Sequence, residues 1–461
     1  MGRLFGTDGV RGVAGRVLTA RLAMDLAVAG AGVLSGTRPW ATGAGAAGRR
    51  PVAVVGRDPR TSGEFLEAAV VAGLASSGVD VLRLGVIPTP AVAYLTDALD
   101  VDFGVMLSAS HNPAPDNGIK FFARGGRKLP DDAEDEIERR LADPPAASGP
   151  PELGFGRVTD ASEKRERYLD HLLSTLPVGP GPALAGLRVV ADCAHGAAYR
   201  LAPLALRRAG AEVIAIGAEP DGLNINAGVG STCLDTLAAA VVEHGADAGV
   251  AYDGDADRCL AVDADGQPLD GDQILAVLAT ELRESGRLAR DAVVVTVMSN
   301  QGFHVAMAEA GVAVIETPVG DKHVSAAMRD GGYVLGGEQS GHIILLEHAT
   351  TGDGILTSLQ LLSAVNRRRM PMSAAAKMMR KYPQVLINVP GDASRLGPGV
   401  DAAVTRAESA LGGDGRVLVR PSGTEPAIRL MVQAADAGLA EQVIGQLAAE
   451  VRLALAGPQI H

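Results

Sequence analysis

Ala248-Gly249-Val250-Ala251-Tyr252 runs directly into Asp253-Gly254-Asp255-Ala256-Asp257-Arg258, and the junction of the two stretches decides how the chain is built. Five small or apolar residues in a row predict a short buried strand. The carboxylates that follow at every second position then sit at the strand's carboxyl end, where open α/β sheets place their ligands. Alternate spacing lets three side chains converge on one cation, and hard oxygen donors of this kind suit magnesium. A calcium loop of the helix-loop-helix type is excluded, because its sixth position is Arg258 rather than glycine and its twelfth is Ala264 rather than glutamate.

Strand-like runs alternate with helical stretches on both sides of this junction. Upstream, residues 51–56 precede a helix from about Ser62, residues 80–84 precede one from about Pro90, and a helix spans Asp131 to Leu141. A second cycle holds residues 187–192 and 212–216. A third follows the hairpin signal Asp265-Gly266, with residues 292–297 and a helix from near Asn300. Three such modules in succession suggest an internal repeat. From about Tyr382 the tail reads strand, helix, strand, helix and ends in a helix over 442–455. Residues 36–50 are low in complexity and read as a mobile surface loop, and residues 143–156, rich in proline and glycine, read as a linker.

Three further segments carry chemistry. Ser110, in Leu107-Ser108-Ala109-Ser110-His111-Asn112-Pro113, has an imidazole as its immediate neighbour, whereas acyl-transfer enzymes usually bring their histidine from far away in sequence. A phosphoserine reading competes well there. Gly336-Gly337-Glu338-Gln339-Ser340-Gly341-His342 places hydrogen-bonding groups between glycines, which suits sugar hydroxyls or a plain hairpin. In Arg420-Pro421-Ser422-Gly423-Thr424-Glu425-Pro426, with Arg429 beyond it, backbone N–H groups, hydroxyls and guanidinium groups can face a phosphate.

These four segments, in this order, resemble the α-D-phosphohexomutase superfamily. So do Gly6-Thr7-Asp8-Gly9-Val10-Arg11-Gly12, Gly85-Val86-Ile87-Pro88-Thr89-Pro90 and Asp116-Asn117-Gly118-Ile119-Lys120. Gln339 in the sugar loop favours the amino-sugar branch. The resemblance implies an α/β fold of three similar mixed-sheet domains plus a smaller α+β C-terminal domain around a central cleft. The expected divisions are 1–155 for the phosphoserine, 156–260 for the metal, 261–375 for the sugar and 376–461 for the phosphate. It further implies a mutase that interconverts glucosamine 6-phosphate and glucosamine 1-phosphate through a phosphorylated Ser110 and a hexosamine 1,6-bisphosphate, feeding UDP-N-acetylglucosamine and cell-wall precursor synthesis. Phosphomannomutase or phosphoglucomutase activity is the alternative within the superfamily, and a non-catalytic phosphosugar-binding protein the alternative outside it.

The residue roles implied are as follows. Ser110 with Asp253, Asp255 and Asp257 holds one Mg2+ per subunit. Lys120 is the candidate acid or base, with a pKa lowered by metal and arginine charge; Arg11 faces the phosphoserine, and His111 positions the loop. Glu338, Ser340 and His342 meet the sugar, and Arg258 lies beside the transferred phosphate. The other phosphate falls to Arg420, Ser422, Gly423, Thr424 and Arg429. One departure stands out in Asp321-Lys322-His323, where an arginine is expected near position 322.

Composition agrees with this. Lys and Arg total 42 against 54 Asp and Glu, a formal charge of −12, which opposes nucleic acid and anionic membranes as partners. With 47% hydrophobic but only 3% aromatic residues, cores must be filled by Ala, Val and Leu, and base-stacking platforms are disfavoured. Cys193, Cys233 and Cys259 lack CxxC spacing and are odd in number, so a reducing compartment is expected. Neither a leader pattern nor an apolar run of membrane-spanning length is present, so the expectation is a soluble cytoplasmic protein, with a homodimer implied by the resemblance alone.

Overall fold

The computed structural model describes residues 3–6, 8–35, 49–143, 151, 153–179, 181–391, 396–412, 415–421 and 427–456. Most of the 36–50 loop and of the 143–156 linker therefore lies outside the described residues. The described chain forms four sheets. Its contacts divide it into two units, one of residues 1–298 and 312–377, the other of residues 299–311 and 378–461.

The larger unit holds three mixed sheets of one plan. The first runs Val10–Val13, Asp116–Ala123, Phe103–Leu107, Val52–Arg57, Asp80–Val86, Val158–Asp160, with Arg127–Lys128 pairing beside Asp116–Ala123. The second runs Pro268–Leu269, Cys259–Asp263, Ala248–Tyr252, Arg188–Asp192, Glu212–Ile216, and the third Ala313–Thr317, Ala292–Thr296, Leu335–Gly337, Ile343–Leu345. In each, a parallel block meets an antiparallel strand: Phe103–Leu107 with Asp116–Ala123, Ala248–Tyr252 with Cys259–Asp263, and Leu335–Gly337 with Ile343–Leu345. The central parallel strands, such as Phe103–Leu107, Ala248–Tyr252 and Ala292–Thr296, are buried on both faces, which explains why they read as unbroken apolar runs. Helices cover them, among them Ala20–Leu34, Ser62–Ser76 and Gly271–Glu284, the last opened by a capping box between Asp270 and Gln273.

Two details differ from the sequence reading. Val158–Asp160 pairs into the first sheet, and the hairpin from Cys259 to Leu269 completes the second. The tail is also not a strict alternation. Gln384–Pro390, Pro398–Leu411, Gly415–Pro421, Ala427–Ala434 and Ala437–Ala456 read strand, helix, strand, strand, helix, because Gly415–Pro421 returns antiparallel through Ala427–Ala434. Apolar residues alternate along these strands and pack on the two helices, as expected of a sheet covered on one side.

Candidate functional site

In each sheet of the larger unit, the loop joining the last parallel strand to its antiparallel neighbour is one of the segments singled out above. These loops are Ser108–Pro115, Asp253–Arg258 and Glu338–His342. One structural position thus supplies the serine, the carboxylates and the sugar-type loop, and the repeat is what brings different chemistries into register.

Ser110 has a backbone φ of 54°, in the left-handed region that L-residues avoid at a cost of about 1–2 kcal/mol. Its surroundings hold it there. Ser110 N donates to Ser108 Oγ at 2.9 Å, and Ser108 Oγ donates to Asp58 Oδ2 at 2.6 Å. Asp58 in turn pairs with Arg60 at 2.8 Å, both fully buried. Arg60 donates onward to the carbonyls of Ser110, Asn112, Pro113 and Asp116. All five guanidinium N–H groups find acceptors, so this arginine serves as an internal scaffold for the loop.

The Ser110 Oγ donates to Asp253 Oδ2 at 2.5 Å. Asp253, Asp255 and Asp257 are all buried, and one oxygen from each lies within 4.8 Å of the others. Gly254 is required between them, since a Cβ there would collide with the Ser110 carbonyl. Asp255 Oδ2 accepts from Thr89 Oγ1 at 2.5 Å and from Lys120 Nζ at 2.7 Å. The Oδ1 atoms of Asp255 and Asp257 are buried without a hydrogen-bond partner among the described residues. Burial, followed by repulsion from Asp257 and Asp255, pushes the Asp253 carboxyl well above the usual range. Three crowded carboxylates, two of them with an orphaned oxygen, fit a divalent cation, which would supply the missing charge and the missing partners.

Lys120 differs from expectation. Burial alone would depress its pKa, but Asp255, Asp8 and Asp257 outweigh burial and raise it. Its Nζ lies 2.5 Å from Asp8 Oδ2, so the ammonium is locked between carboxylates, whereas the sequence reading had surrounded it with cations. Asp8 also takes Arg11 at 2.6 Å and Lys128 at 2.7 Å; Lys128 bridges onward to Asp321, which stands 3.4 Å from His342 Nε2. Burial would raise the Asp8 carboxyl, yet these three cations hold it well below the usual range. Arg11 reaches the serine loop through the Ala109 carbonyl at 3.4 Å. His111 Nδ1 is 3.5 Å from Ser110 Oγ, and burial followed by Arg258 and Arg11 pushes its pKa down to about 4, so it is neutral near pH 7.

A cavity of about 470 Å³ opens beside this network, lined by Arg11, His111, Asp257, Arg258, Glu338 and His342 among others. Burial would lower the Arg258 pKa, but Asp257 and Asp253 outweigh it. His342 is buried, and neither ring nitrogen has a hydrogen-bond partner among the described residues. Glu338 accepts from Gly320 N at 3.2 Å. Ser340, by contrast, is exposed and does not line the cavity, and Gln339 donates to Asp270 Oδ2 at 3.2 Å, at the start of a neighbouring helix. Lys322, standing where arginine was expected, pairs with Asp131 at 2.5 Å and Glu134 at 3.0 Å.

In the smaller unit, Arg420 and Arg429 face each other across adjacent antiparallel strands rather than sitting in a loop. Ser422, Gly423 and Thr424 lie outside the described residues. Sequence reading missed Asp58, Arg60, Lys128 and Asn226, and passed over the roles of Asp8, Thr89 and Asp321 inside stretches already singled out. Most of these act through partners 50 or more residues away in the chain.

Models of phosphoglucomutase/phosphomannomutase alpha/beta/alpha domains I, II and III match residues 2–146, 166–266 and 270–382, and that of the C-terminal domain matches residues 368–450. The chain belongs to the phosphoglucomutase/phosphomannomutase family. Within it, the chain stands with the phosphoglucosamine mutases. It is 62% identical to the phosphoglucosamine mutase of Thermobifida fusca over 98% of either chain. To that of Streptomyces griseus it is 59% identical, covering 99% of this chain and 100% of the relative. Solved structures share the family fold. A phosphoglucomutase/phosphomannomutase family protein from Burkholderia thailandensis superposes with a TM-score of 0.81 at 24% identity, covering 99% of this chain and 98% of that one. Aspergillus fumigatus N-acetylphosphoglucosamine mutase, solved with GlcNAc-6P and magnesium, gives 0.66 at 18% identity over 98% and 96%.

Proposed function

We propose that this family member interconverts glucosamine 6-phosphate and glucosamine 1-phosphate, with Ser110 as the covalent carrier of the phosphoryl group. The observation that carries the reading is the hydrogen bond from Ser110 Oγ to Asp253 inside a carboxylate cluster suited to a cation. A hydroxyl bound there sits where phosphoryl charge is most easily neutralised.

In the forward direction, a sugar hydroxyl oxygen attacks the phosphorus on Ser110; the new P–O bond forms as the bond to Ser110 Oγ breaks, and Oγ recovers a proton. The resulting 1,6-bisphosphate turns over in the site. Its second phosphoryl then passes to Ser110 Oγ, whose proton moves to the sugar oxygen it leaves, so the enzyme ends as it began. Asp253, Asp255, Asp257 and the serine oxygen would hold Mg2+, which supplies charge neutralisation to the transferring group. The Lys120 ammonium, paired with Asp8 and Asp255, is placed to donate a proton to the reacting oxygens or to pair with phosphate. Arg11 and Arg258 flank the transferred group, while Glu338 and His342 face the sugar. Arg420, Arg429 and the intervening Ser422, Gly423 and Thr424 take the phosphate that stays in place.

Four domains, with the first extended through Asp160 and the second through Leu269, assign these duties in turn, with reorientation of the bisphosphate calling for motion of the last. Product glucosamine 1-phosphate would feed UDP-N-acetylglucosamine and cell-wall precursors. Free cysteines, with Cys193 and Cys259 buried, support placing the reaction in the cytoplasm. Among the described residues, no helix is long and apolar enough to cross a membrane.

Mass spectrometry of purified protein, before and after incubation with sugar bisphosphate, should find phosphate on Ser110. Ser110→Ala should lose both label and turnover. Catalysis by Ser110→Ala at an appreciable fraction of the parent rate would end this reading. Comparing kcat/KM on glucosamine, glucose and mannose 6-phosphates separates the amino-sugar activity from the phosphoglucomutase and phosphomannomutase alternatives.

A further inference from the structure

The serine loop is gripped from a second direction, by a residue of the second sheet's region. Asn226 follows the strand Glu212–Ile216 and has a φ of 60°, a conformation that asparagine tolerates better than most residues. Its backbone N donates to Ala194 O at 2.8 Å, just past the strand Arg188–Asp192, which ties it to that sheet. From this anchored position Asn226 Nδ2 donates to Ser110 O at 2.9 Å and to Asn112 O at 3.0 Å. These are the same two carbonyls that accept from Arg60 Nη2, at 2.9 and 2.8 Å. Because both neighbours are carbonyl oxygens, only the NH2 end of the amide can face them.

Arg60 already gives each carbonyl a donor, so a second donor is not needed to satisfy the buried oxygens. What it adds is direction. Two donors arriving from different sheets fix the Ser110–Asn112 peptide planes, and Gly254 closes the third side, where a Cβ would press on both Ser110 O and Asn226 Nδ2. We propose that Asn226 is a positioning residue: it aligns Ser110 Oγ for phosphoryl transfer and makes that alignment depend on the second sheet's region. The proposal rests on Ser110 being the phosphoryl carrier.

Two substitutions separate this from a backbone role. Asn226→Gly keeps the left-handed φ and removes the amide, and Asn226→Asp keeps φ and shape but turns a carboxylate toward two carbonyls. Single-turnover phosphoryl transfer from phosphorylated enzyme to glucosamine 6-phosphate, steady-state kcat and KM, and the unfolding midpoint should be measured for both, with Ser110→Ala alongside. We expect kcat and the single-turnover rate to fall about tenfold in Asn226→Gly and further in Asn226→Asp, with KM within about twofold, as misplacement of a reacting group predicts. Parent-like transfer rates in both variants, or losses that vanish once rates are divided by the folded fraction, overturn the proposal. If Ser110→Ala is itself active, the carrier reading has failed instead; if it is dead while Asn226→Asp is fully active, only the role of Asn226 is lost.

Discussion

Lys120 Nζ stands 2.7 Å from Asp255 Oδ2, and both side chains are buried. Removing one partner of such a pair leaves the other charge stranded in a poorly solvated place. Lys120→Met, which keeps the length and deletes the charge, is therefore expected to destabilise the metal-free protein by about 3–5 kcal/mol in urea unfolding. A cost below about 1 kcal/mol would instead mark the pair as solvent-screened.

The orphaned Oδ1 atoms of Asp255 and Asp257 make cation binding a stability matter as well as a catalytic one. Mg2+ at about one hundred times its Kd should add about 2.7 kcal/mol to the unfolding free energy. Chelation should remove both that increment and turnover. Asp257→Asn should keep the fold but lose most of the magnesium-dependent rise in melting temperature; an undiminished rise would place the ion elsewhere.

Asp353 caps the helix Gly354–Arg367 through Leu356 N and accepts from Tyr168 OH at 2.8 Å. Burial pushes its carboxyl up to about 6. With a folded pKa above the unfolded one, the fold favours the protonated form, so Asp353 erodes stability as pH rises from about 4 through about 6. Asparagine retains the cap acceptor and never ionises. Asp353→Asn should thus gain on the parent by on the order of 1–3 kcal/mol between pH 4.5 and pH 7. A pH-independent difference would contradict this.

Arg420 and Arg429 occupy directly opposed positions in neighbouring strands. Burial, then Arg429, lowers the Arg420 pKa. Like charges so placed oppose folding by a few tenths to about 1 kcal/mol until an anion sits between them. Arg420→Ala should consequently raise KM by about tenfold or more with little change in kcat, and should leave the unliganded protein no less stable. A matching fall in kcat would assign Arg420 to the reacting phosphate.

The sequence made the strand Ala248–Tyr252 and the carboxylates after it readable because apolar continuity and alternate spacing are local signals. The same holds for the helix from Ser62 and the strand Glu212–Ile216. Arg60 was invisible for the opposite reason: its acceptors at 110, 112, 113 and 116 become neighbours only when Val52–Arg57 pairs with Phe103–Leu107. Lys120 was found but its carboxylate partners were not, since nothing near it in sequence announces Asp8 or Asp255. Arg420 and Arg429 were read as the two ends of a phosphate-binding segment, and the pairing of Gly415–Pro421 with Ala427–Ala434, invisible in the sequence, is what sets them opposite each other on strands.

Ser110 acquires its geometry from Arg60 on one side and from residues 226 and 253–254 on the other. All strands of the first sheet lie before Ala161, yet during synthesis the hydroxyl they position lacks its mould until a stretch more than a hundred residues beyond Ser110 has emerged and docked. With Ser110 as the proposed carrier, a nascent or truncated chain should take up no phosphoryl group there, and a split protein cut between the first two sheets should regain a phosphorylatable serine only on reassociation.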